Sequence, residues 1–129
     1  KAARGPDGRL WPWGNEWDKN KCVNTTTNDK NLMAIMLNMG EGKGPVPVGS
    51  VKKGMSPYGA MDMAGNVAEW IADWYQPYPY QGPYDKGNVK TIRGGSWYHY
   101  EGYTRCYSRI KFAPDKGQNQ VGFRCVKDL

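Results

Sequence analysis

The chain has 129 residues and a formal net charge of +6, with 18 Lys and Arg against 12 Asp and Glu. This length suits one domain around one core, so we expect residues 1–129 to form a single domain. The basic residues are spread along the chain, which argues against nucleic acid as a partner, and no apolar run is long enough for a membrane span.

The amino-terminal segment is rich in turn-forming residues and tryptophan. KAARG predicts a short helical end, and GPDG predicts a turn before the aromatic loop RLWPWGNEWD. Trp11, Trp13 and Trp17 fall in this loop. We interpret them as packing anchors rather than a ligand cage, because Trp side chains usually become buried.

One convincing α-helix is predicted, in the segment NDKNLMAIMLNMGEG. Asn28 or Asp29 is the expected N-cap and Gly40 the terminator. Apolar residues between them follow helical spacing: Leu32, Met33, Ile35, Met36 and Met39. A methionine stripe of this kind is typical of a core or an interface.

From Pro45 onwards the pattern changes to short extended segments broken by Gly and Pro. They are PVPVGSV, GNVAEWIADWY, TIRGGSWY, TRCYSRIKF and VGFRCV. Together with the helix, they predict an α+β domain of short strands with much irregular loop. The segment QPYPYQGPYDKGN is a loop by composition, and its alternation of Tyr and Pro is typical of a connector or a contact surface.

Three cysteines leave at least one thiol unpaired within the chain. Cys106 and Cys125 lie in predicted strands, and a disulfide would join them if those strands are neighbours. The alternative is that both, together with Cys22, are buried thiols. No cysteine or histidine spacing typical of a zinc site is present.

The segment DMAGNVAEW, residues 62–70, concentrates oxygen donors in an otherwise basic chain. Asp62 and Glu69 supply carboxylates, and Gly65 permits a turn that directs a backbone carbonyl inward. Ca²⁺ is bound by such oxygens. The alternative is a surface turn with two solvated carboxylates.

The sequence resembles the formylglycine-generating-enzyme or sulfatase-modifying-factor family. The resemblance rests on KAARGPDGRLWPWGNEWD, on PVGSV followed by SPYGAMDMAGNVAEW, on RGGSW and on VGFRC, which occur in the family's order over nearly the whole chain. It implies a variant of the C-type-lectin fold.

The resemblance also implies structural Ca²⁺. One implied site uses the side chains of Asp62 and Glu69 and three backbone carbonyls, those of Met63, Gly65 and Val67. A second begins at Asn24 and Thr25, where Glu41 is the available downstream carboxylate.

The family's catalytic members use a cysteine pair shortly after the segment matching RGGSW, and that pair binds copper(I). Here the corresponding stretch is YHYEGYTRC, which lacks the pair, so copper is not expected. The only histidine, His99, is interpreted as a polar packing or rim residue, with an acid and base cluster among the neighbouring tyrosines as the alternative.

The start of the chain resembles the middle of a family helix. We therefore expect the chain to correspond to the C-terminal portion of a full family domain, with a companion chain or protein partner completing it. An extracytoplasmic compartment, periplasmic or secreted, is slightly favoured.

The favoured function is a non-catalytic, calcium-stabilised binding or accessory module for a protein or glycan. Its expected ligand groove is aromatic and contains Ser96, Trp97, Tyr98, His99 and Tyr103. The alternative is a copper-dependent oxidase that converts a protein cysteine to formylglycine.

Overall fold

The computed structural model describes residues 1–25, 44–79 and 87–127, whose regular structure is a four-stranded sheet and two short 3-10 turns. In spatial order the strands are β3-β2-β1-β4. Their bounds are β1 Ala68–Trp74, β2 Lys90–Arg93, β3 Ile110–Phe112 and β4 Val121–Gly122, and the 3-10 turns are Lys52–Gly54 and Glu101–Thr104.

Strand β1 is one of the two inner strands of the sheet and carries Glu69, a residue of the first implied calcium site. It pairs antiparallel with β2, where Trp70 lies opposite Ile92, and parallel with β4, where Glu69 lies opposite Gly122. Ile92 is buried, and the Trp70 ring packs edge-on against Phe112 at 5.4 Å. The sheet thus fixes Glu69 beside the end of β4.

The three amino-terminal tryptophans form one aromatic cluster. Trp11 stacks on Trp13 at a centroid distance of 6.3 Å and contacts Trp17 at 5.4 Å. Trp11 is buried, and its indole N–H donates to the Thr104 hydroxyl at 3.2 Å. The prediction that these residues are packing anchors is confirmed, and the cluster joins the amino-terminal loop to the second 3-10 turn.

Two predicted segments have less regular structure than expected. Residues 2–8 form successive turns instead of a helical end. The segment PVPVGSV contains no strand, because Pro45 and Pro47 lack the N–H groups that a ladder requires. Two of its N–H groups bond to side chains, with Val46 donating to Asn66 Oδ1 and Gly49 donating to Asp62 Oδ2, while Ser50 N–H donates to the Pro47 carbonyl.

Of the two alternatives for the cysteines, the disulfide between Cys106 and Cys125 is not formed in this structure, and of the three free thiols only Cys22 is buried. The strand expected around Cys106 is confined to Ile110–Phe112, and β3 and β4 lie at opposite edges of the sheet. Cys106 instead lies in a turn, where its N–H donates to the Leu10 carbonyl at 2.7 Å.

The predicted methionine-rich helix falls within residues 26–43, outside the described residues. The helical part of the predicted α+β class therefore also lies outside the described residues. Among the described residues, no helix is both long and apolar enough to cross a membrane.

Candidate functional site

Residues 61–69, called the metal segment below, include three residues with a left-handed backbone conformation. Asp62, Gly65 and Asn66 have φ values of +55°, +76° and +62°. A Cβ at Gly65 would approach the Val23 carbonyl oxygen to 2.4 Å, so the close approach of the two chains requires glycine. The segment is anchored on both sides, because Gly65 N–H donates to Gly94 O and Asn66 N–H donates to Val23 O, each at 2.8 Å.

The Asn66 side chain serves as a structural brace. It is buried, accepts a hydrogen bond from Val46 N–H at 2.9 Å and donates one to Val46 O at 3.1 Å. Both of its polar atoms are thereby satisfied by one backbone unit. Asn66 thus holds residues 44–50 against the metal segment, and its side chain is not a candidate ligand.

Arg124, just beyond β4, donates hydrogen bonds to four oxygen atoms of the metal segment. Its Nε donates to Glu69 Oε2 at 2.6 Å, and its Nη2 contacts Glu69 Oε1 in a two-point pair. The same Nη2 donates to the carbonyls of Met61 and Asp62 at 3.0 and 3.3 Å. The Glu69 carboxylate raises the pKa of Arg124.

The donor set of the metal segment fits Ca²⁺ in its chemistry. It offers the carboxylates of Asp62 and Glu69 together with backbone carbonyls, all hard oxygen ligands. Asp62 already accepts from Gly49 N–H through Oδ2 at 2.6 Å, and both Glu69 oxygens accept from Arg124. A Ca²⁺ ion would therefore share the Glu69 carboxylate with a guanidinium.

No group of three or more His, Cys, Asp or Glu side chains capable of holding a metal occurs in residues 1–25, 44–79 and 87–127.

The second implied calcium site is described only in part. Asn24 Oδ1 is buried and has no hydrogen-bond donor among the described residues, while Asn24 Nδ2 donates to the Thr25 carbonyl at 3.2 Å. The Thr25 hydroxyl donates to the carbonyls of Trp97 and Tyr98. An unsatisfied buried carbonyl oxygen is a suitable cation ligand, but Glu41 lies outside the described residues.

The residues of the expected groove are brought together in a continuous row. Ser96 is fully buried, and its hydroxyl and His99 Nδ1 lie 2.7 Å apart in a hydrogen bond. The His99 ring contacts Tyr103 at 5.1 Å and Tyr98 at 6.2 Å, and Tyr98 contacts Trp97 at 5.8 Å. Burial lowers the pKa of His99, which favours its neutral form. Ser96 is too enclosed to act as a nucleophile on an external substrate.

An open cleft of about 590 Å³ lies beside this row and shares only Tyr103 with it. We call it the tyrosine cleft, because five tyrosines line it: Tyr75, Tyr78, Tyr100, Tyr103 and Tyr107. Three charged side chains also line it, those of Glu101, Arg105 and Arg109. Arg109 stacks on Tyr78 at 3.8 Å and on Tyr75 at 5.2 Å, and it donates to the Gln76 carbonyl.

Residues 1–129 match the sulfatase-modifying factor enzyme 1-like domain family over their whole length. The chain belongs to this family. The resemblance found in the sequence motifs is thereby confirmed, and the curled sheet with little helix agrees with the fold of solved structures like it.

The chain matches parts of larger proteins. The chain is 38% identical, over 99% of its length, to a segment that makes up 19% of the serine/threonine-protein kinase pkn1 of Chlamydia pneumoniae. It is 30% identical, over 96% of its length, to 35% of the formylglycine-generating enzyme of Mus musculus. Treponema denticola variable protein 1 is 28% identical with a TM-score of 0.71, over 95% of this chain and 42% of that one. The chain thus spans less than half of each.

Two thiols of this sulfatase-modifying-factor domain, those of Cys22 and Cys106, are kept in their protonated form by burial. Burial raises the pKa of Cys22 to about 12 and that of Cys106 to about 11. Since the thiolate is the nucleophile and the metal ligand, neither cysteine is activated in this structure.

Sequence reasoning missed Arg124 and most of the tyrosine cleft. Arg124 lies 55 residues from Glu69 in the chain, and only the pairing of β1 with β4 brings them together. A signal for the cleft existed in the QPYPYQGPYDKGN loop, whose Tyr78 is one wall. Arg124 lies within the VGFRC motif, whereas Arg105 and Arg109 are single basic residues in a basic chain and belong to no motif used in the sequence analysis.

Proposed function

We propose that this domain is a non-catalytic, calcium-stabilised binding or accessory module whose partner is a protein. The observation that carries the proposal lies after the glycine pair Gly94 and Gly95. At that place the family's oxidases have two cysteines, whereas this chain has Tyr98, Tyr100 and Tyr103 and a single cysteine, Cys106, whose pKa is raised to about 11. A C-type-lectin-like scaffold stabilised by Ca²⁺ would present these tyrosines.

The relatives support an accessory role. A related segment makes up 19% of a protein named as a serine/threonine kinase, so domains of this family are found attached to proteins with other named activities. A partner polypeptide or a companion chain, and an extracytoplasmic location, remain predictions. A glycan is the alternative to a protein as the ligand of this domain.

Calcium dependence tests the scaffold half of the proposal. The purified protein, stripped with a chelator, is titrated with Ca²⁺ while its melting temperature and the heat of binding are followed. We expect stoichiometric calcium and a rise in Tm, because an ion that binds only the folded state stabilises it by mass action. Glu69→Gln, which keeps the side-chain shape but removes the charge, should reduce that rise, and Glu16→Gln provides a control outside the segment. An unchanged Tm on adding Ca²⁺ contradicts the calcium assignment.

Oxygen consumption tests the non-catalytic half. The protein is supplied with copper(I), oxygen, a reductant and a cysteine-containing peptide. We expect no formylglycine product and no stoichiometric copper in elemental analysis. Product formation that is lost in Cys106→Ser would establish the oxidase alternative and overturn the proposal.

A further inference from the structure

Four of the five tyrosines that line the tyrosine cleft are more than one-third exposed. Tyr78 is 66% exposed, Tyr107 53%, Tyr100 44% and Tyr103 38%, and all four line the same cleft. Tyrosine supplies rigid, amphipathic contact area at a low cost in conformational entropy, and for that reason it is enriched in binding sites. The cleft therefore has the composition of a recognition surface.

The residues that line the cleft are fixed by contacts with Trp11 and with one another. Trp11 donates to Thr104, which ends the 3-10 turn carrying Glu101 and Tyr103. The Tyr100 and Tyr103 rings meet edge-on at 4.8 Å, and a hydrogen bond between their side chains raises the pKa of Tyr100. A ligand would meet a largely preformed surface, which lowers the entropic cost of binding.

Two opposite charges on the walls have no charged partner among the described residues. Arg105 donates through Nη1 to the Tyr107 hydroxyl at 2.9 Å and lies over the Trp11 ring at 5.4 Å, but it contacts no carboxylate there. Its Nε is buried and has no acceptor in the part of the chain that the structure describes. Glu101 likewise forms no ion pair within this part of the chain.

We propose that the tyrosine cleft binds an extended protein segment that carries an acidic side chain, which pairs with Arg105 while its neighbouring residues pack on Tyr103 and Tyr107. The inference rests on the proposed function and deepens it, since it names the surface and the ligand class. Uncompensated charges of both signs favour a peptide, which can offer both, over a neutral glycan. Arg105, whose buried Nε has no acceptor among the described residues, favours an acidic segment.

The test uses the full calcium-loaded chain. It is first applied to arrays of short peptides, graded by their content of Asp and Glu, and to an array of neutral glycans. The best acidic peptide and its Glu→Gln counterpart are then measured in solution by fluorescence anisotropy. We expect acidic peptides to bind, and the loss of their carboxylate to weaken binding about tenfold, as for other charge-assisted hydrogen bonds.

A double-mutant cycle then assigns the contact to Arg105. Arg105→Gln should weaken the acidic peptide about tenfold and leave the Glu→Gln peptide unchanged, while Arg105→Lys should retain part of the affinity. Lys52→Gln makes the same charge change at an exposed residue outside the cleft and should have little effect. Circular dichroism checks that each variant is folded.

Three results would overturn the inference: binding of neutral glycans but no peptide, peptide binding that Arg105→Gln does not alter, or no binding on either array. Peptide binding that ignores Arg105 would leave the proposed function standing and move the site elsewhere. Copper-dependent oxidation of a cysteine peptide would instead overturn the proposed function, whatever the arrays show.

Discussion

In the metal segment, the side chains of Asp62, Asn66 and Glu69 all have hydrogen-bond partners, whereas in the tyrosine cleft Glu101 and Arg105 lack charged partners among the described residues. The first region is built from left-handed backbone positions and tight chain crossings, and the second from exposed tyrosine rings of two chain segments, residues 75–78 and 100–107. Satisfied polar groups stabilise a fold, while unsatisfied ones at a surface are available to a ligand. The first region therefore stabilises the fold, and the second suits the recognition role proposed for it.

The largest expected effect comes from the tight crossing at Gly65. Gly65→Ala would place a Cβ 2.4 Å from the Val23 carbonyl oxygen at a positive φ, so we expect a loss of about 3 kcal/mol or more in the free energy of unfolding. Gly59→Ala is the matched control, with φ of +81° but nothing within 4 Å, and should cost only about 1 kcal/mol. Urea denaturation measures both. Equal losses would mean that the crossing with Val23 is looser than described.

The next prediction distinguishes two roles of Arg124: it pairs with Glu69, and it competes with Ca²⁺ for the same carboxylate. Without Ca²⁺, Arg124→Gln removes the partner of Glu69 and should lower the free energy of unfolding by about 1 kcal/mol. In the presence of Ca²⁺, the same variant removes a positive charge that shares the carboxylate, so calcium affinity should rise by about threefold or more. Calorimetric titration measures the affinity. A weaker affinity would show that Arg124 positions Glu69 for the metal and does not compete with it.

The pH dependence of stability should report His99. Burial lowers its pKa in the folded protein, so the unfolded chain binds the additional proton. The free energy of unfolding should therefore fall as the pH drops below about 6.5, the ordinary value for histidine. His99→Gln should flatten this part of the curve, measured by denaturation between neutral and mildly acidic pH. A wild-type curve that is already flat would contradict the buried, neutral histidine.

The smallest effect on stability is expected in the cleft. Tyr103→Phe keeps the ring but removes the hydroxyl bonded to Tyr100, and we expect a change within about 0.5 kcal/mol because the site is exposed. The pKa of Tyr100 should fall towards its ordinary value, which the ultraviolet absorbance of tyrosinate detects. A large loss of stability would make the cleft part of the fold and weaken its assignment to recognition.

Local sequence patterns were sufficient to predict the tryptophan anchors and most of β1 and β2, and to locate the oxygen-rich segment from Asp62 to Glu69. Each depends on residues close together in the chain, where side-chain preferences act directly. The family motifs were also local, and they predicted the family that the comparison confirms. The calcium at these residues remains a prediction.

Only the tertiary structure decided which distant residues meet. The sheet order β3-β2-β1-β4 separates the strands that a Cys106 to Cys125 disulfide would have to join, and the parallel pairing of β1 with β4 brings Arg124 to Glu69. The tyrosine cleft likewise joins residues 75–78 to residues 100–109. Such contacts depend on strand order and on the loops that cross the sheet, and no spacing along a single sequence encodes them.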